Sequence, residues 1–156
     1  MEVMKDLTWI ANIMICVTAL VGIVSFIADH KRRKRQATFD FYHSIYERFI
    51  EHLKEINNKF PDENQVINVC DVEDYQDISY AIRGYLSCME RFAVGINKDI
   101  YDIKVFKRTV GAIHTVKLFD RFKEFISDFR EKHNSPSAYK ELEVLVSKLK
   151  KSEQEA

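Results

Sequence analysis

The sequence predicts an all-α protein in which one N-terminal transmembrane helix continues into a small cytoplasmic helical bundle. Three observations support this fold class. An uncharged apolar run of 22 residues lies near the N-terminus, which is long enough to cross a hydrocarbon core as a helix. Apolar residues then recur at spacings of three and four along most of the remaining chain. No segment alternates with period two for long enough to predict a strand.

The composition fits one globular domain. The chain has 156 residues, of which 46% are hydrophobic and 12% aromatic, and this is enough apolar surface for a packed core. Lys and Arg together number 24, as do Asp and Glu, so no net field attracts the chain to a polyanion. The three cysteines lack the spacings of a disulfide framework or a zinc site. We therefore expect no metal and no cofactor.

Residues 7–28 form the predicted transmembrane helix, and residues 1–6 form a short external tail. A cleaved signal peptide is the main alternative, but its apolar stretch would span only about 7 to 15 residues and would follow positive charge. Here a basic cluster comes after the apolar run instead, and it consists of Lys31, Arg32, Arg33, Lys34 and Arg35. By the positive-inside rule, this cluster places the C-terminal part in the cytoplasm.

The basic cluster also indicates which partners the protein binds. Cations next to a membrane helix bind anionic lipid head groups, so the lipid bilayer is the first expected partner. Nucleic acid is not expected, because no aromatic side chains for base stacking are interleaved with the cations.

Small and polar residues share one face of the predicted transmembrane helix, at about 100° per residue. The oligomer or pore face predicted here consists of Thr8, Asn12, Ile15, Ala19, Gly22 and Phe26. Small residues let helices approach closely in lipid, and polar ones form hydrogen bonds between helices. An amide such as Asn12 is costly against hydrocarbon without a partner. We therefore expect a homo-oligomer; the alternative is a monomeric anchor with a chance distribution.

The cytoplasmic region, residues 29–152, is predicted to contain four amphipathic helices, at about 36–60, 75–97, 102–132 and 136–150. Nothing between residues 28 and 39 breaks a helix, so the membrane helix is expected to continue into the first of them as one rod. Four helices with apolar stripes pack naturally as a small bundle.

Turn signals set the boundaries of these helices. Pro61 and the following DENQ end the rod, and residues 66–69 are the one place where a short strand or a tucked-in turn is plausible. Asp102 and Ser135 are the predicted N-caps of the last two helices. Residues 153–156 are expected to fray.

The stretch YLSCMERFAVGINKDIYD, residues 85–102, resembles the bacterial domain-of-unknown-function family 4760. The later NSPSAYKELEVL and the single N-terminal span agree with it. The resemblance is identified above all on Glu90, Arg91, Gly95, Asn97, Tyr101 and Asp102. It implies a single-pass protein of the bacterial inner membrane with a helical cytoplasmic region, and it implies no activity.

The layout is also similar to that of the membrane accessory protein of type VI-B CRISPR systems, which joins one span to a divergent HEPN-like helical domain. This likeness implies an oligomeric membrane pore in antiviral defence. A defence-system protein or a nucleotide signal is a further partner that we consider.

Arg108 and His114 are the catalytic candidates. HEPN ribonucleases place an Arg and a His four to six residues apart, with the His near the scissile phosphate and the Arg stabilising its charge. So short a motif arises readily by chance, and a surface Arg with a partly buried structural His is the favoured explanation. No Gly-rich phosphate loop or nucleophile elbow is present. We therefore expect that the protein is not an enzyme.

Two classes of function agree with these features. The first is a non-enzymatic membrane assembly that forms a pore or perturbs the membrane. The second is a membrane-tethered cytoplasmic domain, which either binds a nucleotide signal or a partner protein or acts as a HEPN-like RNA nuclease.

Overall fold

The computed structural model describes residues 2–72 and 74–154, and within them the side chains of residues 9, 12–72 and 74–152. Its α-helices are α1 (Glu2–Lys59), α2 (Gln76–Asn97), α3 (Ile103–Phe106), α4 (Ala112–Lys132) and α5 (Lys140–Gln154). A π-helical turn at Lys107–Gly111 joins α3 to α4, and a 3-10 turn spans Cys70–Val72. No strand occurs among these residues, and the predicted all-α class is confirmed.

Helix α1 has 58 residues and is therefore about 87 Å long. It contains the apolar run and the first cytoplasmic helix without a break, as the absence of helix-breaking residues predicts. The helix begins at Glu2, so residues 2–6, which were predicted as a short external tail, are helical and continuous with the apolar run. Among the described residues, α1 provides one stretch that is long and apolar enough to cross a membrane, and the chain buries none of it.

The bundle core lies between the C-terminal half of α1 and the helices α2 to α5. Its largest fully buried side chains are aromatic: Tyr85, Phe92, Phe106, Phe122 and Phe125. Ring centroids are 4.8 Å apart for Phe49 and Tyr85, and 5.0 Å apart for Phe92 and Phe106. Burying one such side chain stabilises a fold by about 1.5–3 kcal/mol, so these rings supply much of the energy that holds α1 to the other helices.

The connector between α1 and α2 packs into the core as a tucked-in turn, and no strand forms at residues 66–69. Ile67 and Val72 are buried, and the Ile67 N–H donates to the Arg121 carbonyl at 2.9 Å. The Arg121 side chain, 3% exposed, donates to the Asn57 Oδ1 at 2.8 Å and to the Phe60 carbonyl at 2.5 Å. This buried cation thereby fixes the end of α1 that is farther from the apolar run.

Burial lowers the pKa of the Arg121 guanidinium, while the nearby carboxylates of Glu63 and Asp62 oppose that shift. A buried charge is tolerated when its donors are paired. Nη1 and Nη2 of Arg121 are paired in this way, whereas its buried Nε has no hydrogen-bond partner among the described residues. The connector supplies the compensating negative charge through Glu63 and Asp62. The polar contacts at this end therefore stabilise the connector as well as α1.

Helix α5 begins at Lys140, not at residue 136 as predicted from a Ser135 cap. Residues 136–139 form turns, and Tyr139 has φ = 57°, a left-handed conformation that cannot continue a helix. The first turn of α5 is instead capped by Glu90, which accepts from the N–H groups of Glu141 at 3.1 Å and Leu142 at 2.7 Å. No local sequence signal marks a cap supplied by another helix.

The C-terminus of α5 also differs from the prediction. The helix continues to Gln154, beyond the predicted end at 150. Two residues of the predicted frayed tail, 153 and 154, are therefore helical, and residues 155 and 156 lie outside the described part of the chain.

The predicted third helix, 102–132, is divided into α3 and α4. Asp102 is the N-cap of α3, as predicted: its Oδ1 accepts from the Lys104 N–H at 2.8 Å. Gly111 has φ = 93°, which suits glycine because it has no Cβ. This non-helical conformation ends the π-helical turn at Gly111, and α4 begins at the next residue.

Candidate functional site on helix α1

The predicted oligomer face is uncovered in the structure. The side chains of Asn12, Ile15, Ala19 and Phe26 are exposed, as is Gly22, while Thr8 has its side chain outside the described set. Phe26 is 74% exposed. A Cβ added at Gly22 would meet nothing within 4 Å. The chain therefore leaves this face of α1 free for contact with lipid or with another molecule.

The polar groups on this face differ in how they are satisfied. The Thr18 hydroxyl donates to the Met14 carbonyl of its own helix at 2.8 Å, so it needs no outside partner. The Asn12 amide has no hydrogen-bond partner among the described residues. In a hydrocarbon environment that amide is the costliest exposed group of the span.

The same face continues below the apolar run as a polar surface. At about 100° per residue, the arc of Asn12 and Ala19 extends down α1 through the exposed residues Arg33, Asp40, Ser44, Arg48 and Glu51. The bundle packs on the other side of α1, where Thr38, Phe49 and Ile56 are buried. One side of α1 therefore stays free of the protein's own bundle over its entire described length.

A second feature, the membrane-proximal corner, is formed by Lys34, Arg35 and Thr38 of α1 together with the loop at residues 98–102. Thr38 is 0% exposed. Its hydroxyl oxygen accepts from the Asp102 N–H at 2.7 Å and donates to the Lys34 carbonyl at 2.7 Å. One hydroxyl thereby joins the loop to α1.

Two ion pairs flank that hydroxyl. Lys34 binds Asp99, and the Arg35 Nε donates to the Asp102 Oδ2 at 3.3 Å. The Lys34 hydrogen bond holds the pKa of the Asp99 carboxyl below its usual value. At Asp102, burial raises the pKa of the carboxyl, but the N–H groups of Lys104 and Val105 together with the Arg35 side chain lower it further than burial raises it. Both loop carboxylates are therefore ionised partners of α1.

The basic cluster consequently has a role that local sequence patterns do not reveal. Lys34 and Arg35 bind acidic residues more than 60 positions away in the chain, and Arg33 pairs with Asp29 of its own helix at 2.8 Å. Three of the five predicted membrane-surface cations thus have carboxylate partners within the chain, and two of these pairs dock the bundle.

Three of the six residues on which the family resemblance was identified, Gly95, Tyr101 and Asp102, support this same corner. The Tyr101 ring packs against Phe41 and Phe92, with centroids 5.2 and 5.6 Å away. A Cβ at Gly95 would lie 2.1 Å from that ring, so only glycine leaves room for it.

Two other members of that set connect helices. The Asn97 amide donates to the Glu141 carbonyl at 2.9 Å, and its Oδ1 accepts from Lys148 at 2.8 Å. Glu90 caps α5 as described above, and Arg91 is exposed. The set therefore positions helices and includes no acid–base pair.

The structure does not bring the catalytic candidates into a common cavity. Arg108 is exposed on the π-helical turn. His114 lines a small cavity with Leu53, Asn57, Glu63 and Arg121, and Arg108 does not line it. Burial lowers the pKa of His114, and the Glu63 carboxylate opposes this. The cations that share the His114 cavity are Lys117 and Arg121, and Arg121 donates through Nη1 and Nη2 to the Asn57 Oδ1 and the Phe60 carbonyl.

Comparison with known proteins gives a match to a protein family. The sequence profile of Domain of unknown function (DUF4760) matches residues 12–149. No curated protein and no solved structure shows a significant match to the chain. The match confirms the family resemblance, whereas the likeness of layout to the CRISPR accessory protein stays a prediction.

The first testable prediction concerns the corner. The substitution Thr38→Val keeps the side-chain shape but leaves the Asp102 N–H without its acceptor. We expect a loss of about 1–3 kcal/mol in the free energy of unfolding, measured by denaturant titration of the full chain in detergent. Thr109→Val is the matched control, because the Thr109 hydroxyl binds only carbonyls of its own helical turn. Equal losses in both variants would show that the Thr38 hydroxyl does not dock the loop.

The second prediction concerns Arg108 and His114. Changing both to Ala is expected to leave any cellular phenotype intact at equal protein levels, because the two side chains do not share a cavity. The measurement is the phenotype and RNA cleavage by purified protein. Loss of RNA cleavage with an unchanged fold would instead establish the HEPN-like nuclease.

Proposed function

We propose that this chain, which belongs to the family Domain of unknown function (DUF4760), is a non-enzymatic single-pass membrane protein that homo-oligomerises and forms a membrane pore. The observation that carries the proposal is the uncovered face of α1, which bears Asn12 and small residues in the apolar run and charged residues below it. No other part of the described bundle covers this face.

The energetics of the apolar run favour contact between copies. Bulky side chains on the opposite arc, among them Val17, Leu20 and Val24, are 53–65% exposed and suit contact with lipid. Asn12 does not, because hydrocarbon offers its amide no partner. In a ring with the Asn12 face inward, the Asn12 amide forms hydrogen bonds with a neighbouring helix or with water. The exposed Gly22 lets neighbouring helices approach closely.

The bundle is compatible with such a ring. It packs on the side of α1 away from the Asn12 face, so copies placed with that face inward carry their bundles on the outside. Arg33, Asp40, Ser44, Arg48 and Glu51 then line a wet cytoplasmic entrance. Polar side chains in this position cost little, because water satisfies them.

Two large apolar side chains lie on the same inward face. In a pore, Ile15 and Phe26 act as constrictions that close it by dewetting. The proposed gate is therefore a pair of apolar rings, one near the middle of the span and one near its cytoplasmic end.

The proposed location is the bacterial inner membrane, with the N-terminus outside and the bundle in the cytoplasm. The basic cluster directly after the apolar run supports this orientation. A role as a membrane-perturbing effector in antiviral defence is proposed on the likeness of layout to the CRISPR accessory protein. Reduced phage yield in cells that express the chain, lost with a variant unable to assemble, is the corresponding observation.

A second candidate function is a membrane-tethered binding domain for a nucleotide signal or a partner protein. A cavity of about 510 Å³ favours it, at the end of the bundle far from the corner. The cavity is lined in part by Tyr80, Arg83, Phe129 and His133, which offer an aromatic face together with a cation. Such groups bind planar anionic ligands.

The third prediction tests assembly. Gly22→Leu should block close helix approach, and Asn12→Leu should remove the hydrogen bond between helices; each is expected to reduce the oligomer in nanodiscs without impairing insertion. Val21→Leu, on the opposite arc, is the matched control and should assemble normally. The measurements are oligomer mass and membrane depolarisation in cells.

The possible results separate the candidates. A wild-type chain that stays monomeric at high concentration would contradict the assembly and favour the tethered binding domain. A stable oligomer without depolarisation under any stimulus would keep the assembly and eliminate the pore.

The fourth prediction tests orientation. An alkaline phosphatase reporter, active only in the periplasm, should be inactive when fused after Ala156, whereas a cytoplasmic fluorescent reporter should be bright there. Replacing the five basic residues of the cluster by Gln should weaken this bias, since they set it. Phosphatase activity in the unaltered fusion would reverse the proposed orientation.

A further inference from the structure

A cavity of about 390 Å³ lies at the membrane-proximal corner, between α1, the loop at residues 98–102 and α5. Five cations line it: Lys31, Lys34, Arg35, Lys104 and Lys148. They come from three separate parts of the chain, which the fold brings together around one opening.

The carboxylates at the cavity neutralise only part of this charge. Asp99 pairs with Lys34 and Asp102 with Arg35, and these are the two acidic residues that line the cavity. Lys31 and Lys104 have no ion-pair partner among the described residues. Lys148 donates one hydrogen bond to the Asn97 Oδ1 at 2.8 Å and keeps two further N–H donors.

Three ammonium groups therefore converge without a counter-charge of their own. Such groups repel one another, and a bound anion removes that repulsion while it gains charge-assisted hydrogen bonds. A phosphate is the anion that suits several lysines around a pocket of this size.

The position of the cavity indicates where the phosphate comes from. Lys31 follows the end of the apolar run by three residues, about 5 Å along the helix, which is the depth of the lipid head groups. A second hollow, of about 520 Å³, shares Lys31 and Arg35 and adds the apolar side chains of Ala28, Phe39 and Val105. Arg32 and Gln36 complete the lining of this hollow, so its apolar side chains form one part of it. A cationic pocket next to that apolar part matches the two ends of a phospholipid.

We propose that this corner cavity is a binding site for a phosphate group, presented by an anionic phospholipid, with Lys31, Lys104 and Lys148 as its principal ligands. The site ties the bundle to the membrane surface by a second attachment besides α1. A soluble phosphate compound carries the same recognised group and is distinguished by experiment. The lipid source rests on the membrane location proposed above, whereas the pocket itself does not.

The fifth prediction tests this site with the full chain in neutral detergent. Native mass spectrometry or calorimetry follows titration with dihexanoyl phosphatidylglycerol, with dihexanoyl phosphatidylcholine, and with inorganic pyrophosphate. We expect saturable binding of the anionic lipid and not of the zwitterionic one. The pair Lys104→Gln and Lys148→Gln should weaken that binding about 25-fold, at about fivefold for each cation removed.

The matched control is the pair Lys54→Gln and Lys123→Gln, which removes the same charge from exposed positions outside the cavity. Lys54 lies 20 residues beyond Lys34, about 30 Å along α1. All four lysines are exposed, so folding should be unchanged, and circular dichroism checks this. The single variants Lys104→Gln and Lys148→Gln give an independent reading of the expected fivefold steps.

Each outcome decides the proposal. If pyrophosphate binds in place of the lipid, and the Lys104→Gln and Lys148→Gln pair weakens that binding to the same degree, the site is supported and its ligand is a soluble phosphate. The proposal is overturned if neither phosphatidylglycerol nor pyrophosphate binds saturably. It is also overturned if the two double variants lose the same amount of binding affinity. Oligomer mass is read separately, so a monomer that binds phosphatidylglycerol would contradict the pore and leave the phosphate site in place.

Discussion

The hydrogen bond from the Asp102 N–H to the Thr38 hydroxyl fixes the arrangement on which the rest of the structure depends. Because α1 is one uninterrupted helix, a contact at residue 38 sets both the distance of the bundle from the apolar run and its rotation about the helix axis. The ion pairs of Lys34 and Arg35 stand on either side of that hydroxyl and share its loop. Exposed ion pairs contribute little energy alone, but here they accompany a fully buried hydroxyl that joins the same two segments.

Polar contacts also close the opposite end of the bundle. There the buried guanidinium of Arg121 binds the last turn of α1, and its own backbone carbonyl holds the connector through Ile67. Between the two ends the contact is almost entirely apolar, with aromatic rings from α1, α2 and α4 packed on one another. The core therefore supplies most of the stability, while the polar contacts at its ends select one register of α1 against the other helices.

The sequence alone predicted the features that depend on local periodicity. The unbroken α1, helix α2 and the Asp102 cap all follow from residue spacing and turn residues near the feature itself. The late start of α5 could not be predicted, because its cap comes from Glu90 and its delay from the left-handed Tyr139. The docking role of Lys34 and Arg35 was missed for the same reason, since their partners lie more than 60 residues away. The exposed face of α1 was predicted as a pattern, but only the structure shows that the bundle leaves it uncovered.

The bundle's attachment to one side of α1 also gives the molecule the shape of a wedge. A single helix is about 10 Å across, whereas a folded region of some 120 residues has a radius of gyration of about 14 Å and is therefore several times wider. In the ring proposed above, the bundles lie on the outer side of the helices, so the assembly would be wider at the bundles than at the apolar runs. The space that the bundles need, and not the close approach of the helices, would then limit how densely such rings pack side by side.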